Sequence, residues 1–198
     1  MLSMVTGCKV HDPSLLHEGY CRTDSGFTAN VNAEKIAAVI EHFIALQDDR
    51  VFLILEIPTN YKDETEAAPG ILQAMHKDVY YMDGLTKESA VSMLQTFGPL
   101  FIHDGMNSFG FGSHSGNNEI MLNKYNIITI YTKTPHQYMG MFESHDIPED
   151  KMLKTAWDYF THETPGECCK VPYRGKDIYE ITEYLQQYGL YFSERRER

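Results

Sequence analysis

The chain has 198 residues, long for one average domain and short for two, so one domain with a continuous core is the expectation. Hydrophobic residues make up 42% and aromatic residues 12%, enough to build that core and to exclude chain-wide disorder. Twenty-eight acidic residues against 17 basic ones leave a net charge of −11, which repels phosphate backbones and anionic headgroups, so nucleic acid and membrane are set aside as partners and a basic protein is favoured.

Residues 1–30 mix Gly, Pro, Ser, Asp and His with few periodic apolar positions and read as an irregular lead-in with room for one short strand. Within it, Val5-Thr6-Gly7-Cys8 is similar to a lipoprotein cleavage box. It lacks the basic start and the roughly 7 to 15 apolar residues that such a signal needs, so the box is set aside unless the chain begins further upstream. No window approaches the roughly 20 consecutive apolar residues needed to span a bilayer, and a soluble, cytoplasmic protein is expected.

Asn32 is placed to cap a helix reaching to about Gln47, with Ile36, Val39, Ile40, Phe43 and Ile44 on one face. Val51 to Ile57 is nearly continuous in large apolar residues and predicts a strand buried on both faces, hence central in a sheet, with Pro58 at its end. Residues 58–70 are polar, acidic and bounded by prolines, a long exposed loop. A short strand around Val79 to Met82 leads to a helix capped by Thr86, with Ala90, Val91, Leu94 and Phe97 sharing a face and Gly98-Pro99 as its stop.

Strand texture follows at Leu100 to His103, Ser108 to Gly112, Glu119 to Leu122 and Asn126 to Thr132, with Ser113 to Asn118 as a hairpin turn. Pro135 opens a third helix, and a fourth runs from about Pro148 to Phe160 with a stripe of Met152, Leu153, Ala156, Trp157 and Phe160. Asp177-x-x-Glu180 is a capping box for a last helix that buries Ile178, Ile181, Leu185 and Tyr188 and stops at Gly189. Residues 194–198 should fray, leaving 1–193 as the domain. The fold class is α+β: one mixed, mainly antiparallel sheet of five to six strands packed by four to five helices.

Gly110-x-Gly112 with Gly116 resembles a phosphate loop but misses its spacing, and the glycines are assigned to crowding in twisted strands. Gly112-Ser113-His114-Ser115-Gly116 resembles a nucleophile elbow with His114 where serine is needed. His11-Asp12 with His17, and His103-Asp104, are the best local pairings for a metal or an acid/base dyad, and satisfied structural roles are favoured for both. Cys8, Cys21, Cys168 and Cys169 are too sparse for a disulfide scaffold, and the adjacent pair is not a C-x-x-C; inert reduced thiols are preferred to a nucleophile or redox pair. No cofactor and no metal are expected.

The acidic segments carry more information as a group. Tyr61, Asp63, Glu64 and Glu66 fall in one predicted loop; Tyr138, Phe142, Glu143, Asp146, Glu149, Asp150, Tyr159, Glu163 and Glu167 fall in a second stretch. Carboxylates interleaved with aromatics are what a face for a basic protein uses. Lys124 to Tyr131, a helix, then Thr155-Ala156-Trp157-Asp158 and Pro165-Gly166 resemble, over residues 115–190, the small immunity proteins encoded beside bacterial polymorphic toxins. That resemblance implies an acidic, cytosolic, cofactor-free protein that occludes a toxin. The competing classes are a small cysteine- or histidine-dependent hydrolase or transferase and an acidic regulator that mimics nucleic acid; oligomeric state is open.

Overall fold

The structure, a computed structural model, describes residues 1–48 and 50–197. In chain order its elements are β1 (Cys8–Lys9), β2 (Gly19–Thr23), β3 (Gly26–Asn30), α1 (Ile36–Ala45), β4 (Val51–Pro58), β5 (Glu66–Ala68), β6 (Ile71–Leu72), β7 (His76–Leu85), α2 (Lys87–His103), β8 (Ser108–Ser113), β9 (Asn118–Asn123), β10 (Ile127–Tyr131), β11 (Glu167–Cys168), α3 (Ile178–Gln186) and β12 (Tyr191–Glu197), with short 3-10 turns between them. Among the described residues, eight strands form one sheet in the order β12-β7-β4-β8-β9-β10-β3-β2, and each neighbouring pair runs antiparallel. β1 with β11 and β5 with β6 make two separate ribbons.

The expected five to six strands become eight because segments read as irregular or frayed supply three of them. Residues 1–30 are not a loose lead-in: β2 and β3 form a hairpin, and Leu2, Val5, Leu16, Tyr20, Phe27 and Ala29 are buried. Asn126, itself buried, stitches this region down by accepting from Val5 N at 2.9 Å and donating to the Ser3 and Val31 carbonyls at 2.8 Å each. The tail does not fray either, since β12 pairs along β7, and Arg195 donates to Asp78 at 2.7 and 3.2 Å. Arg198 lies outside the described residues.

Gly98-Pro99 does not stop α2, which runs on to His103 and replaces the expected strand at 100–103. A proline inside a helix removes one donor and crowds the residue before it, but that residue is Gly98, which has no Cβ to clash. Burial of Leu100, Phe101 and Ile102 outweighs the lost hydrogen bond. The helix expected at 148–160 is absent. Instead Tyr20 N donates to Pro148 O and Asp150 N to Tyr20 O, so this stretch runs beside β2, and only a 3-10 turn at Ala156–Asp158 follows. Met152 is 78% exposed and Trp157 58%, so the stripe does not form. The third helix is likewise a 3-10 turn, Pro135–Tyr138. α3 has its capping box, with Asp177 accepting from Tyr179 N and Glu180 N, but Tyr188 is 63% exposed instead of inside.

The two faces of the sheet differ. One carries Leu53, Leu55, Phe109, Phe111, Ile120, Leu122, Ile128 and Ile130 into a buried cluster with α1 (Ile36, Val39, Ile40, Phe43, Ile44) and α2 (Leu94, Phe101). Each such side chain contributes about 1.5–3 kcal/mol by burial. The other face holds a separate small cluster of Phe52, Ile54, Val79 and Met121 with Tyr81 against it, all from strands.

Candidate functional site

The open face is shaped by glycines in β8. A Cβ on Gly112 would strike the ring of Phe52, and one on Gly110 would strike the Ile120 carbonyl and Met121 Sδ. Phe52 and Met121 therefore lie flat across β8, and the face stays low in the middle. His114 stacks on Phe52 at 4.5 Å and pairs with Asp83 at 2.8 Å, while the Tyr191 hydroxyl donates to the other Asp83 oxygen at 2.7 Å. These contacts close one end of the face. Asp83 is held below its ordinary carboxylate range by the hydrogen bonds from Tyr191 and then His114.

Two depressions, of about 740 and 620 Å³, occupy this face and share Glu56, Lys77, Asn123 and Tyr131. Glu56 and Lys77 pair at 2.6 Å, and Arg196 reaches the second Glu56 oxygen at 3.5 Å. Asn123 donates to Thr129 at 3.3 Å. Burial, then the nearby Glu56, push the Glu119 carboxyl up; Arg196, the cation that acts on it, is already engaged with Glu56 and Glu194. Glu56, Glu119 and Glu197 face Lys77, Lys124 and Arg196 around the two depressions, so the floor is balanced in charge although the chain is strongly acidic. One wall is β4, β7 and β12 through Pro58, Lys77 and Glu197. The opposite wall is Thr28, Thr155 and the half-exposed Trp157, whose ring sits edge-on to Tyr125 at 5.2 Å and Phe160 at 5.3 Å.

The residues nominated from sequence fall into three groups. Tyr61, Asp63 and Glu66 are exposed on the β5–β6 side, where the Tyr61 hydroxyl donates to Glu66, while the Glu64 side chain is covered and accepts from both the backbone N and Nδ1 of His76. Burial pushes Glu64 up, but the hydrogen bonds from His76 outweigh it and hold the carboxyl below its ordinary value. Glu143, Glu149 and Asp150 lie near β2 instead: Glu143 accepts from Tyr20, Asp150 pairs with His17 at 2.8 Å, and Glu149 bridges to Tyr20, while the exposed Asp146 accepts from Lys35 through its backbone carbonyl at 3.4 Å. Tyr159, Glu163 and Glu167 are exposed beyond them.

Tyr138 and Phe142 are corrections, for both are core residues: Tyr138 stacks on Phe43 at 5.3 Å and Phe142 on Tyr20 at 4.9 Å. As apolar rings in a tight 3-10 connection they have the sheet within reach, and burial there is worth more than exposure. The two carboxylate groups thus lie toward opposite edges of the sheet. What brings their segments together is the larger depression, reached by Pro58 from one and by Thr155 and Trp157 from the other.

The histidine pairings do not converge. Asp12 caps Ser14, His17 turns to Asp150, and His103 Nδ1 meets Thr6 while Asp104 turns away to Met106 N. Among the described residues, His, Cys, Asp and Glu form no group of three or more placed to hold a metal ion. No helix among them is long and apolar enough to cross a membrane. The site residues that sequence reading missed are Glu56, Lys77, Asn123, Thr129, Tyr131 and Arg196. One signal was there: Glu56 is the single charge in an otherwise apolar run. Comparison with known proteins finds no matching family model, no curated relative and no matching solved structure.

Proposed function

We propose that this is a non-catalytic, cytoplasmic binding protein of the immunity type, which seats a Lys- or Arg-bearing segment of a basic partner, such as a toxin domain, in the open face of its sheet. The observation that carries this reading is the depression of about 740 Å³ between Pro58 and Trp157, at which both acidic segments arrive. Its physics suits a cation-bearing peptide. In the adjoining depression of about 620 Å³, burial pushes the Glu119 carboxyl up, so a partner cation placed against it favours the charged form and gains from doing so. Tyr131 and Trp157 are exposed aromatics at the rim and serve as anchors. The outlying carboxylates, Asp63 and Glu66 on one side and Glu143, Glu149 and Asp150 on the other, steer approach.

The test is co-expression with the product of the adjacent gene, pull-down, and then kinetics on variants. Thr129→Trp fills the floor and should weaken binding at least about 30-fold, through dissociation. Reversing Asp63 and Glu66 to lysine should slow association and flatten its salt dependence. A folded Thr129→Trp protein that binds its partner normally would overturn the assignment of this face.

A further inference from the structure

β1 and β11 set Cys8 directly opposite Cys168. The neighbouring position in the ladder is hydrogen-bonded, Cys169 N donating to Gly7 O at 2.9 Å, so the cysteines occupy the narrow kind of antiparallel site. There the Cα atoms of facing residues are about 4.5 Å apart, inside the range a disulfide spans. The two Sγ atoms are 3.9 Å apart as thiols, close enough for a small side-chain rotation to join them. Cys8 is buried, Cys168 half-buried, and Cys169 exposed.

The pair also lies against the groove. Tyr125 N donates to Cys8 Sγ at 3.4 Å, and the Tyr125 hydroxyl bonds Cys168. The ring of Tyr125 packs on Phe160 and on Trp157, the aromatic residue in the wall of the larger depression.

We infer that Cys8 and Cys168 are a thiol–disulfide pair, closed by exchange with an external disulfide, that clamps the aromatic wall of the open face. In the first step the half-buried Cys168, as thiolate, attacks a disulfide RSSR; a Cys168–SR bond forms, the S–S bond breaks, and one RS⁻ leaves. In the second, Cys8 gives up its proton and attacks the Cys168 sulfur, expelling the second RS⁻. The two protons end on the two leaving thiolates, so two protein thiols are oxidised and one RSSR is reduced to two RSH. The order follows from the surroundings: the hydrogen bond with Cys168 and then burial raise Cys8 well above its ordinary value, which makes it the second to react. The bond would tie together positions 160 apart in sequence. Its formation is independent of what the groove binds; its effect on the wall is what links it to that reading.

The experiment equilibrates the whole folded protein in oxidised and reduced glutathione mixtures, traps thiols by alkylation, maps peptides without reduction, and follows the emission of Trp157, the one tryptophan in the chain. The expected result is a Cys8–Cys168 cross-link, the loss of two alkylatable thiols, and a change in Trp157 emission that titrates with the cross-link. Cys169→Ser should keep both signals and Cys8→Ser should lose both; Cys168→Ser gives the same reading if Cys8→Ser does not fold. A Cys168–Cys169 link, a dimer joined through Cys169, stable glutathione adducts without a cross-link, or a full set of alkylatable thiols throughout would each overturn the proposal. So would a cross-link that leaves Trp157 emission unchanged, for the clamp.

Discussion

The two faces of the sheet are built from alternate residues of the same strands and behave as different materials. On β8, Phe109 and Phe111 are fully buried beneath the helices, while Gly110 and Gly112 between and after them leave the other side flat enough for Met121 and Phe52 to cross it. On β4, Leu53 and Leu55 enter the core while Glu56 emerges into an ion pair with Lys77. The lesson is that a strand period of two lets one short segment serve a dry core and a polar groove at once, and that register is the quantity under constraint: a slip of one residue would exchange every role.

The largest test of that contrast is Phe111→Ala. Phe111 lies between Leu53 and Ile120 with no exposure, and its truncation should cost about 3–5 kcal/mol in urea unfolding. Phe52→Ala, on the open face, should cost clearly less; equal losses would erase the distinction between the faces.

Next come the glycines. Gly110→Ala and Gly112→Ala should each cost about 1–3 kcal/mol by overpacking. Gly112→Ala meets a side chain, so combining it with Phe52→Ala should be markedly less than additive, whereas Gly110→Ala meets the Ile120 backbone and no side-chain change should rescue it. Additive costs in both cases would mean that Phe52 does not lie across β8.

A smaller effect concerns pH on the covered side, where His145 meets His42 of α1 at 3.1 Å. Burial, then His42 and Lys35, hold the His145 imidazole below its ordinary value of 6.5. The fold thus prefers the neutral ring, so this contribution is present above about pH 6.5 and is lost as pH falls through the range beneath it. Melting temperature measured from pH 7.5 downward should fall over that window, and His145→Gln should flatten the decline. An unchanged slope would assign the loss to other groups.

The smallest effect belongs to the open face. Glu119 is pushed up by burial and by Glu56, so its ionisation costs stability above the ordinary carboxylate value of 4.5 and costs nothing once it is protonated in both states. Glu119→Gln should therefore be slightly more stable than the parent at pH 7, by roughly 0.5 kcal/mol or less, and equal to it in acid. A destabilising change at pH 7 would mean that the carboxylate is well paired and that no partner cation is needed there.

Much of the fold was legible where one local signal dominated. The apolar run at 51–57, the helical spacing of Ile36, Val39, Ile40, Phe43 and Ile44, the Asp177–Glu180 capping box and the Ser108–Leu122 hairpin needed no distant partner to read. Elements that depend on a neighbour were misread. β12 is entirely exposed and polar in its second half, and it becomes a strand because β7 offers an unpaired edge and Asp78 waits for Arg195. Residues 148–160 have an apolar stripe at helical spacing, yet β2 offers backbone partners to Pro148 and Asp150, and the stripe stays open. In the site, Glu56 was passed over although it is the lone charge in its strand, and its partner Lys77 is 21 positions away, beyond any local pattern.

Composition, charge and periodicity by themselves determined that this chain builds an apolar core from helices and strands, carries a strong negative charge, and places its central strand and its first and last helices where they are found. Those properties are local or additive, and each residue contributes to them wherever its neighbours lie. Only the tertiary structure decided that the sheet has eight strands, that Tyr138 and Phe142 turn inward, that a balanced groove opens on an acidic protein, and that Cys8 faces Cys168. Each of these depends on which edges pair and in what register, and pairing energy is realised only when residues far apart in the chain share the same few ångströms.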